Sequence, residues 1–366
     1  MIHASVVIPA LGPEESLISY AAQLLSCGVP QVIVVDDGSG PEYGPVFRAL
    51  EELSGCAVLR HPVNRGKGAA LKTAIGWYLA QGGRFGLVTA DCDGQHAAED
   101  VLRVGQALGA HPQALVLGCR SFGRDTPRRS RIGNTLTSAA LRGLYGIPLR
   151  DTQTGLRGLP QVMLPALAQL SGDRYEYELN MLLYARRTDT ELVTVPIQTL
   201  YFDHNSGSRY RSVADSLPIL ALLSRGVLQY IGSSALSALV DVALYALLVK
   251  MLLLPLPLAA RLFLAAGTAR LLSSLVNYNC NRRLPYVQTA RLYPTVVRYY
   301  ILWTGQLLAS FGAVWVLCAG LGMDELLAKL LIDGLLALAS YQIQMRWVFR
   351  THPPRKKAAL ARRETL

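Results

Sequence analysis

The chain has 366 residues, 51% of them apolar, and carries a formal net charge of +11. That length exceeds one ordinary domain, and the apolar residues are unevenly spread. Up to about residue 210, short apolar runs alternate with Gly, Pro and charged breaks, whereas beyond Leu217 the chain is largely apolar. The basic residues collect beside apolar stretches, around 120–131, 209–211, 282–283 and 355–363, and no recognition motif accompanies them. This pattern reads as the cytoplasmic face of a membrane and argues against a nucleic acid partner. Six cysteines without a CxxC pair fit reduced thiols. The amino terminus enters a strand almost at once, so no secretory signal is expected and the first domain is expected in the cytosol.

In chain order, Val6-Val7-Ile8 closed by Pro9 predicts a buried strand. A helix is predicted over 14–27, then a strand over 32–35 that ends in Asp36-Asp37-Gly38-Ser39. A helix over 43–53 and a short strand over 57–59 follow. Asn64-Arg65-Gly66-Lys67-Gly68 opens a helix over 69–81. The fourth strand, 85–88, feeds straight into Thr89-Ala90-Asp91-Cys92-Asp93-Gly94-Gln95. A helix over 100–108 and a strand over 115–117 complete a βαβα rhythm. That rhythm predicts an α/β domain with a mostly parallel sheet covered by helices.

In such a sheet the carboxyl ends of the strands share one rim, where ligands bind. Asp91 and Asp93, two residues apart, face the same way in an extended chain. Gly94 allows a sharp turn and Gln95 adds a neutral oxygen, giving the oxygen-only set that Mg²⁺ or Mn²⁺ prefers. The alternative is an acidic turn in which Asp bonds its own backbone. Gly66 and Gly68 would let backbone N–H groups approach a phosphate at a helix start, with Lys67 adding charge. Asp36 and Asp37 suit a base or a ribose, or simply end a strand.

Val6 to Pro9, Val35 to Ser39, Asn64 to Gly68 and Asp91 to Gln95 together resemble the motif series of family 2 glycosyltransferases of the GT-A, Rossmann-like fold. More narrowly, they resemble the polyprenyl-phosphate hexose synthases, the dolichol-phosphate mannose synthase group. Gly118 to Ser121, Ser130 to Asn134, Asp151 to Gly158, Gly172 to Glu178 and Val195 to Ile197 extend the likeness. One departure is Pro9-Ala10-Leu11-Gly12-Pro13-Glu14-Glu15. The family often has an aromatic residue and Asn there, so the base-stacking contact has no counterpart and Glu14 is the acidic residue left to serve.

The resemblance implies transfer of a hexose from a nucleotide-diphosphate sugar, UDP- or GDP-linked, to a polyprenyl phosphate, with inversion. Asp91, Asp93 and Gln95 would hold the metal. Pro9, Glu14, Asp36, Asp37, Lys67 and Asp91 would meet the nucleotide sugar. Arg120, Arg131, Thr135 and Arg209 would meet the acceptor phosphate, with Asp91, Asp93, Arg120 and Arg131 carrying the catalysis. The cluster Arg120, Arg124, Arg128, Arg129 and Arg131 supplies forked phosphate donors, or else faces anionic headgroups. A lipid phosphate is already anionic near neutral pH, with a second pKa of about 6, so no strong general base is required. The rivals are a transferase to a hydroxyl acceptor, which needs a carboxylate base, and a lipid-linked sugar flippase with a recognition domain.

The second half contains four apolar spans, near 227–251, 256–276, 296–321 and 326–349, each close to the roughly 20 residues that cross a bilayer. Basic residues before the first span, between the second and third, and after the fourth put both ends in the cytoplasm. Tyr230-Ile231-Gly232, Asp241, Asn277-Tyr278-Asn279, Arg298-Tyr299-Tyr300 and Trp347-Val348-Phe349 resemble the GtrA-like membrane family. Asp241, Arg270 and Asp333 lie within spans, where a charge is a functional candidate; Asp241 and Arg270 could pair across helices, or Arg270 could contact a lipid phosphate, the alternative role being to hold helices together. The expected layout is a GT-A domain at 1–210, an interfacial amphipathic linker at 211–225, an all-α transmembrane domain at 226–350 and a basic tail at 351–366. A homo-oligomer is compatible with it.

Overall fold

Seven strands build the sheet of the first half of the chain. In the computed structural model, residues 2–120, 128–198, 216–283, 292–323 and 325–349 are described. The strands are β1 (Ser5–Ala10), β2 (Val32–Asp36), β3 (Cys56–Arg60), β4 (Leu87–Thr89), β5 (Leu115–Arg120), β6 (Arg157–Leu159) and β7 (Leu192–Ile197), in the order β3-β2-β1-β4-β6-β5-β7. All pairings are parallel except those of β6, which runs against β4 and β5. β1, β2 and β4 are buried at every position, as strands covered on both faces must be. The covering helices are α1 (Ser16–Ser26), α2 (Gly44–Glu51), α3 (Lys67–Ala80), α4 (Ala98–Ala110), α5 (Arg128–Ala140), α6 (Leu164–Ala168) and α7 (Glu176–Arg187).

Alternation along the strands divides the core. Val6, Ile8, Val32, Val34 and Val88 pack with Leu17 and Leu24 of α1, Leu50 of α2, and Val101 and Val104 of α4. Their neighbours point to the opposite face, where α3 lies against β1 and β2. Pro9 fits inside β1 for a local reason. β1 pairs with β4 only as far as Val7 opposite Thr89, so the missing N–H of Pro9 leaves no gap in that ladder.

The predicted elements are present, with shifted ends. The fourth strand starts at Leu87 because Phe85 is exposed. α3 starts at Lys67, two residues early, because Gly66 takes φ 101° and caps it. β6 escapes the apolar-run reading: it is three residues long and begins with a fully buried arginine. It nevertheless organises the rim. β1, β2, β4 and β5 run the same way, so Ala10, Asp36, Thr89 and Arg120 end together. β6 runs opposite, so its first residue, Arg157, lies beside Thr89 and Leu117 at that same edge.

The chain divides into two compact units, Met1–Arg142 with Ile147–Leu222, and Gly143–Gly146 with Leu223–Leu366. The second is helical: α8 (Ser216–Leu247), which belongs to it from Leu223 on, α9 (Leu258–Arg282), α10 (Leu292–Leu321) and α11 (Glu325–Ile343). Among the described residues, one helical stretch, Ala221–Leu252, is long and apolar enough by length and composition to cross a membrane. Polar side chains within this unit satisfy one another. Asn281 accepts from Ser233 and donates to Asn277 at 2.7 Å and to Gln344 at 2.9 Å, and Gln344 donates to Ser340 at 3.0 Å. Such pairs hold helices together where apolar surface cannot discriminate. Of the two alternatives for Asp241 and Arg270, the structure has them paired, 3.5 Å apart, and the Ser273 hydroxyl donates to Asp241. The Asp333 side chain lies outside the described residues, as do 199–215, with most of the expected interfacial linker, and the basic tail.

One glycine tests the rim directly. Gly38 has φ +77°, and a Cβ there would lie 2.3 Å from the Val63 carbonyl carbon. Gly38→Ala is expected to cost about 1–3 kcal/mol from the dihedral alone and more from the clash, lowering the thermal unfolding midpoint of the purified chain. Gly109→Ala, with nothing within 4 Å of its Cβ, serves as the control and should leave that midpoint unchanged or raise it.

Candidate active site

The centre of the rim is an ammonium between two carboxylates. Lys67 Nζ lies 2.6 Å from Asp91 Oδ1 and 2.9 Å from Glu178 Oε1. Lys67 opens α3, Asp91 follows β4, and Glu178 sits in the first turn of α7. Burial alone would lower the Lys67 pKa, but the charges of Asp91 and Glu178 override it and raise the group above its ordinary value. Burial likewise works against the Asp91 carboxylate, yet Lys67 and then His96 hold it down to about 2. Asp93 behaves oppositely. Its side chain reaches the surface, but the desolvating rim and then the charge of Asp91 push it up to about 6.

The neighbours of Asp91 are held closely. His96 is buried, which lowers its pKa, and its Nδ1 accepts the Asp91 N–H at 3.2 Å. The imidazole proton is therefore on Nε2, which lies 3.9 Å from Asp91 Oδ2. Gly155 presses on the other side, where a Cβ would stand 2.3 Å from Asp91 Oδ2. Thr89 at the end of β4 donates to the Gly155 carbonyl at 2.6 Å and fixes that approach.

This set fits a divalent cation. Two carboxylates, one firmly anionic and one driven toward protonation by desolvation and then by the charge of the first, present a burden that a hard cation relieves. The Gln95 N–H donates to Asp93 Oδ1 at 3.2 Å, fixing the turn that carries the third expected ligand. Among the described residues no group of three or more His, Cys, Asp or Glu could hold a metal, so the remaining ligands would come from water and substrate oxygens, the habit of Mg²⁺.

The Asp36-Asp37 pair is committed to the backbone. Asp36 Oδ1 accepts the Ser39 N–H at 2.8 Å. Asp37 accepts from Arg65 N–H at 3.0 Å, Gly66 N–H at 2.7 Å and His61 Nδ1 at 2.7 Å. The expectation that the Gly66 N–H faces a phosphate is therefore corrected: it faces Asp37. The glycines at 66 and 68 serve close packing instead. A Cβ at Gly66 would meet the Asp173 carbonyl oxygen at 2.4 Å, and one at Gly68 would meet Tyr177 Cβ at 2.5 Å. Pro9 is buried within β1, and Glu14 is exposed ahead of α1. Between them the Gly12 N–H donates to Ser39 at 2.8 Å, which joins the first loop to the Asp36–Ser39 turn.

Arg120, at the end of β5, is gripped by the fully buried Asp151. Its Nε and Nη2 donate to the two carboxylate oxygens at 2.7 and 3.0 Å, and its backbone N–H adds a third bond. Arg131 and Thr135 occupy exposed positions of α5, and the Thr135 hydroxyl donates to the Arg131 carbonyl at 2.7 Å. α5 is tied to the Asp151 loop through Asn134, which donates to the Arg150 carbonyl and accepts from Thr152. Arg124 and Arg209 lie outside the described residues, as do the side chains of Arg128 and Arg129. Sequence reasoning left Glu178 without a role and assigned none to His61, Gly155 or Arg157. Gly155, Arg157 and Glu178 fall in stretches that carry the family likeness, but the role of each depends, like that of His61, on a partner distant in the chain.

Without a metal, Asp93 should protonate as pH falls through about 6. Its carboxylate form, present above that pH, is the one that binds a cation. Mn²⁺ affinity of the purified chain is therefore expected to be roughly tenfold weaker at pH 5 than at pH 7.5, measured by Mn²⁺ titration with electron paramagnetic resonance. Asp93→Asn should abolish this dependence along with most of the affinity.

Residues 5–159 match glycosyl transferase family 2, and residues 229–349 match the GtrA/DPMS transmembrane domain. An uncharacterised protein of Methanocaldococcus jannaschii is 30% identical over 220 residues, which cover 59% of this chain and 88% of that protein. The UDP-N-acetylglucosamine–dolichyl-phosphate N-acetylglucosaminyltransferase of Methanococcus voltae is 28% identical, covering 55% of this chain and 86% of the relative. The polyprenol monophosphomannose synthase of Mycolicibacterium smegmatis is 27% identical, covering 52% and 75%. Among solved structures, glucosyl-3-phosphoglycerate synthase of Mycobacterium tuberculosis aligns at a TM-score of 0.43 and 22% identity, over 62% of this chain and 78% of that one. The chain belongs to glycosyl transferase family 2: it is a glycosyltransferase that carries a GtrA/DPMS transmembrane domain in the same polypeptide.

Proposed function

We propose that this glycosyltransferase moves a hexose from a nucleoside-diphosphate sugar to a polyprenyl phosphate at the cytoplasmic face of the membrane, with inversion at the sugar. The observation that carries the proposal is the pairing at the rim. Asp91 and Glu178 are engaged with Lys67, and Asp151 is engaged with Arg120. The rim thus holds its positive groups in fixed positions, while its carboxylates are engaged in ion pairs, in backbone hydrogen bonds or in the proposed metal set. An acceptor that is already anionic suits such a site, since its second pKa is about 6 and it needs no base. The two relatives named for their reactions act, by those names, on dolichyl phosphate and as a polyprenol monophosphomannose synthase, and they support the same acceptor class. Their names differ in the sugar, so the proposal goes no further than a hexose.

Mg²⁺ or Mn²⁺ held by Asp91, Asp93 and Gln95 would act as a Lewis acid on the leaving nucleoside diphosphate. Lys67 holds Asp91 ionised and in place. Arg120 presents a guanidinium that Asp151 has already oriented, so little side-chain freedom is lost when an acceptor phosphate arrives. The membrane domain is proposed to cross four times, near 227–251, 256–276, 296–321 and 326–349, with both ends cytoplasmic.

Membranes containing the chain, given labelled UDP- and GDP-sugars, Mn²⁺ and undecaprenyl phosphate, should yield label in the extracted lipid. Asp93→Ala should lower that yield about 100-fold or more, the loss of several kcal/mol of charge stabilisation. Arg120→Lys should raise KM for the lipid phosphate roughly tenfold by losing forked, charge-assisted bonds while leaving KM for the donor unchanged. Label appearing instead in an added neutral glycolipid would overturn the proposal.

A further inference from the structure

A second buried cation stands behind the ammonium. Arg157, the first residue of β6, is 1% exposed, and its guanidinium donates to three backbone carbonyls and not to a carboxylate. Nε donates to the Thr154 carbonyl at 2.9 Å, Nη1 to that of Glu178 at 2.5 Å and Nη2 to that of Thr152 at 3.3 Å. Burial lowers its pKa, opposed by the charges of Glu178, Asp151 and Asp91, and a guanidinium stays charged even so. A buried charge is costly to desolvate, and packing alone would be served as well by an apolar side chain.

The three acceptors belong to two segments that are distant in the chain. Thr152 follows Asp151, whose carboxylate holds the Arg120 guanidinium at 2.7 and 3.0 Å. Thr154 precedes Gly155, which stands against Asp91 and whose carbonyl accepts from Thr89 at 2.6 Å. Glu178 lies in the first turn of α7, and its carboxylate meets Lys67 at 2.9 Å. One planar fork therefore spans the stretch that places the guanidinium of Arg120 and the turn that places the ammonium of Lys67. Other bonds of the two segments lead away from each other. The Thr152 N–H donates to Asn134 of α5 at 3.0 Å, and the hydroxyl of Tyr177, beside Glu178, donates to the Leu167 carbonyl at 2.9 Å.

We propose that Arg157 is a positioning residue for both halves of the site: its fork fastens the 151–155 stretch to the first turn of α7 and so fixes Arg120 and Lys67 relative to each other. Enclosed as it is, Arg157 acts through these partners. The kinetic side of this inference rests on the proposed transfer from a nucleoside-diphosphate sugar to a lipid phosphate. Its structural side does not, and the two are tested separately.

The test uses the full-length chain in detergent or nanodiscs. Arg157→Lys keeps the charge and loses the fork, and Arg157→Met loses both. KM for donor and for lipid phosphate, the thermal unfolding midpoint, and backbone hydrogen exchange over 150–156 and 176–182 are measured. Arg157→Lys should raise both KM values roughly five- to twentyfold, the scale of a lost charge-assisted hydrogen bond, and should speed exchange in both segments. Arg157→Met should be at least as severe. Arg120→Lys, expected to act on the lipid-phosphate KM alone, gives the contrast. When Arg120→Lys and Arg157→Lys are combined, their effects on the lipid-phosphate KM should fall short of the product, because Arg157 acts on that substrate through Arg120. A role in stability alone would lower the unfolding midpoint and leave both KM values of the folded protein unchanged. That result overturns the inference, as does a change in only one KM. If neither Arg157 variant folds, urea-dependent exchange of the wild-type chain decides. The two segments should then open together, with one free energy and one urea dependence, as a single cooperative unit, and two separate openings overturn the inference. If the wild-type chain transfers no label from any nucleotide sugar to lipid phosphate, the proposed reaction fails, and exchange in the two segments still decides whether Arg157 joins them.

Discussion

Everything at the rim depends on a single ammonium buried between two carboxylates. Three charges in a low-dielectric setting are costly to desolvate, and they are tolerated because each neutralises its neighbour within hydrogen-bond distance. Removing the cation would leave Asp91 and Glu178 as like charges beside Asp93. Removing either carboxylate would leave the ammonium with half its support. The two aspartates behave differently: Lys67 and His96 hold Asp91 near 2 against its burial, whereas desolvation and then the charge of Asp91 drive Asp93 to about 6. Between its two carboxylates the ammonium is held in place and screened.

The sheet supplies the geometry for that triad. Parallel β1, β2, β4 and β5 deliver their carboxyl ends to one edge, and the reversed β6 delivers its amino end to the same edge. The reversal places Gly155 against Asp91 and buries Arg157, which donates to the carbonyls of Thr154, Glu178 and Thr152. The backbone carbonyl of Glu178 is thereby tied to the start of β6 while its carboxylate meets Lys67. A fully parallel sheet would have no strand beginning at this edge.

Much of the architecture was legible because burial writes itself in short apolar runs. β1 and β2, the βα rhythm and the three polar strand ends follow from Val6-Val7-Ile8, Val32 to Val35 and the residues after them. What stayed hidden depends on long-range partners. β6 holds an arginine where a strand reading looks for alternation, and its satisfaction by backbone carbonyls cannot be seen locally. The Gly66-Lys67-Gly68 stretch looked like a phosphate loop because glycine permits close approach, yet the body that approaches is the 173–177 segment of the same chain. Asp37, expected at the nucleotide sugar, also accepts three hydrogen bonds from within the chain, which no local pattern reveals. In the helical unit, Asp241 and Arg270 were visible as charges in apolar stretches, and their pairing was one of the alternatives the sequence left open.

The stretch from Arg150 to Gly155 joins features that the chemistry treats separately. Its first carbonyl and Thr152 hold Asn134 of α5, its Asp151 grips Arg120, and its Gly155 backs onto Asp91. Six consecutive residues thus act as a ruler between the guanidinium on one side of the rim and the carboxylate on the other. The distance between these two charged groups is set by backbone length and not by side-chain reach. An insertion or deletion there would shift the guanidinium and the carboxylate relative to each other, even with every charged residue intact.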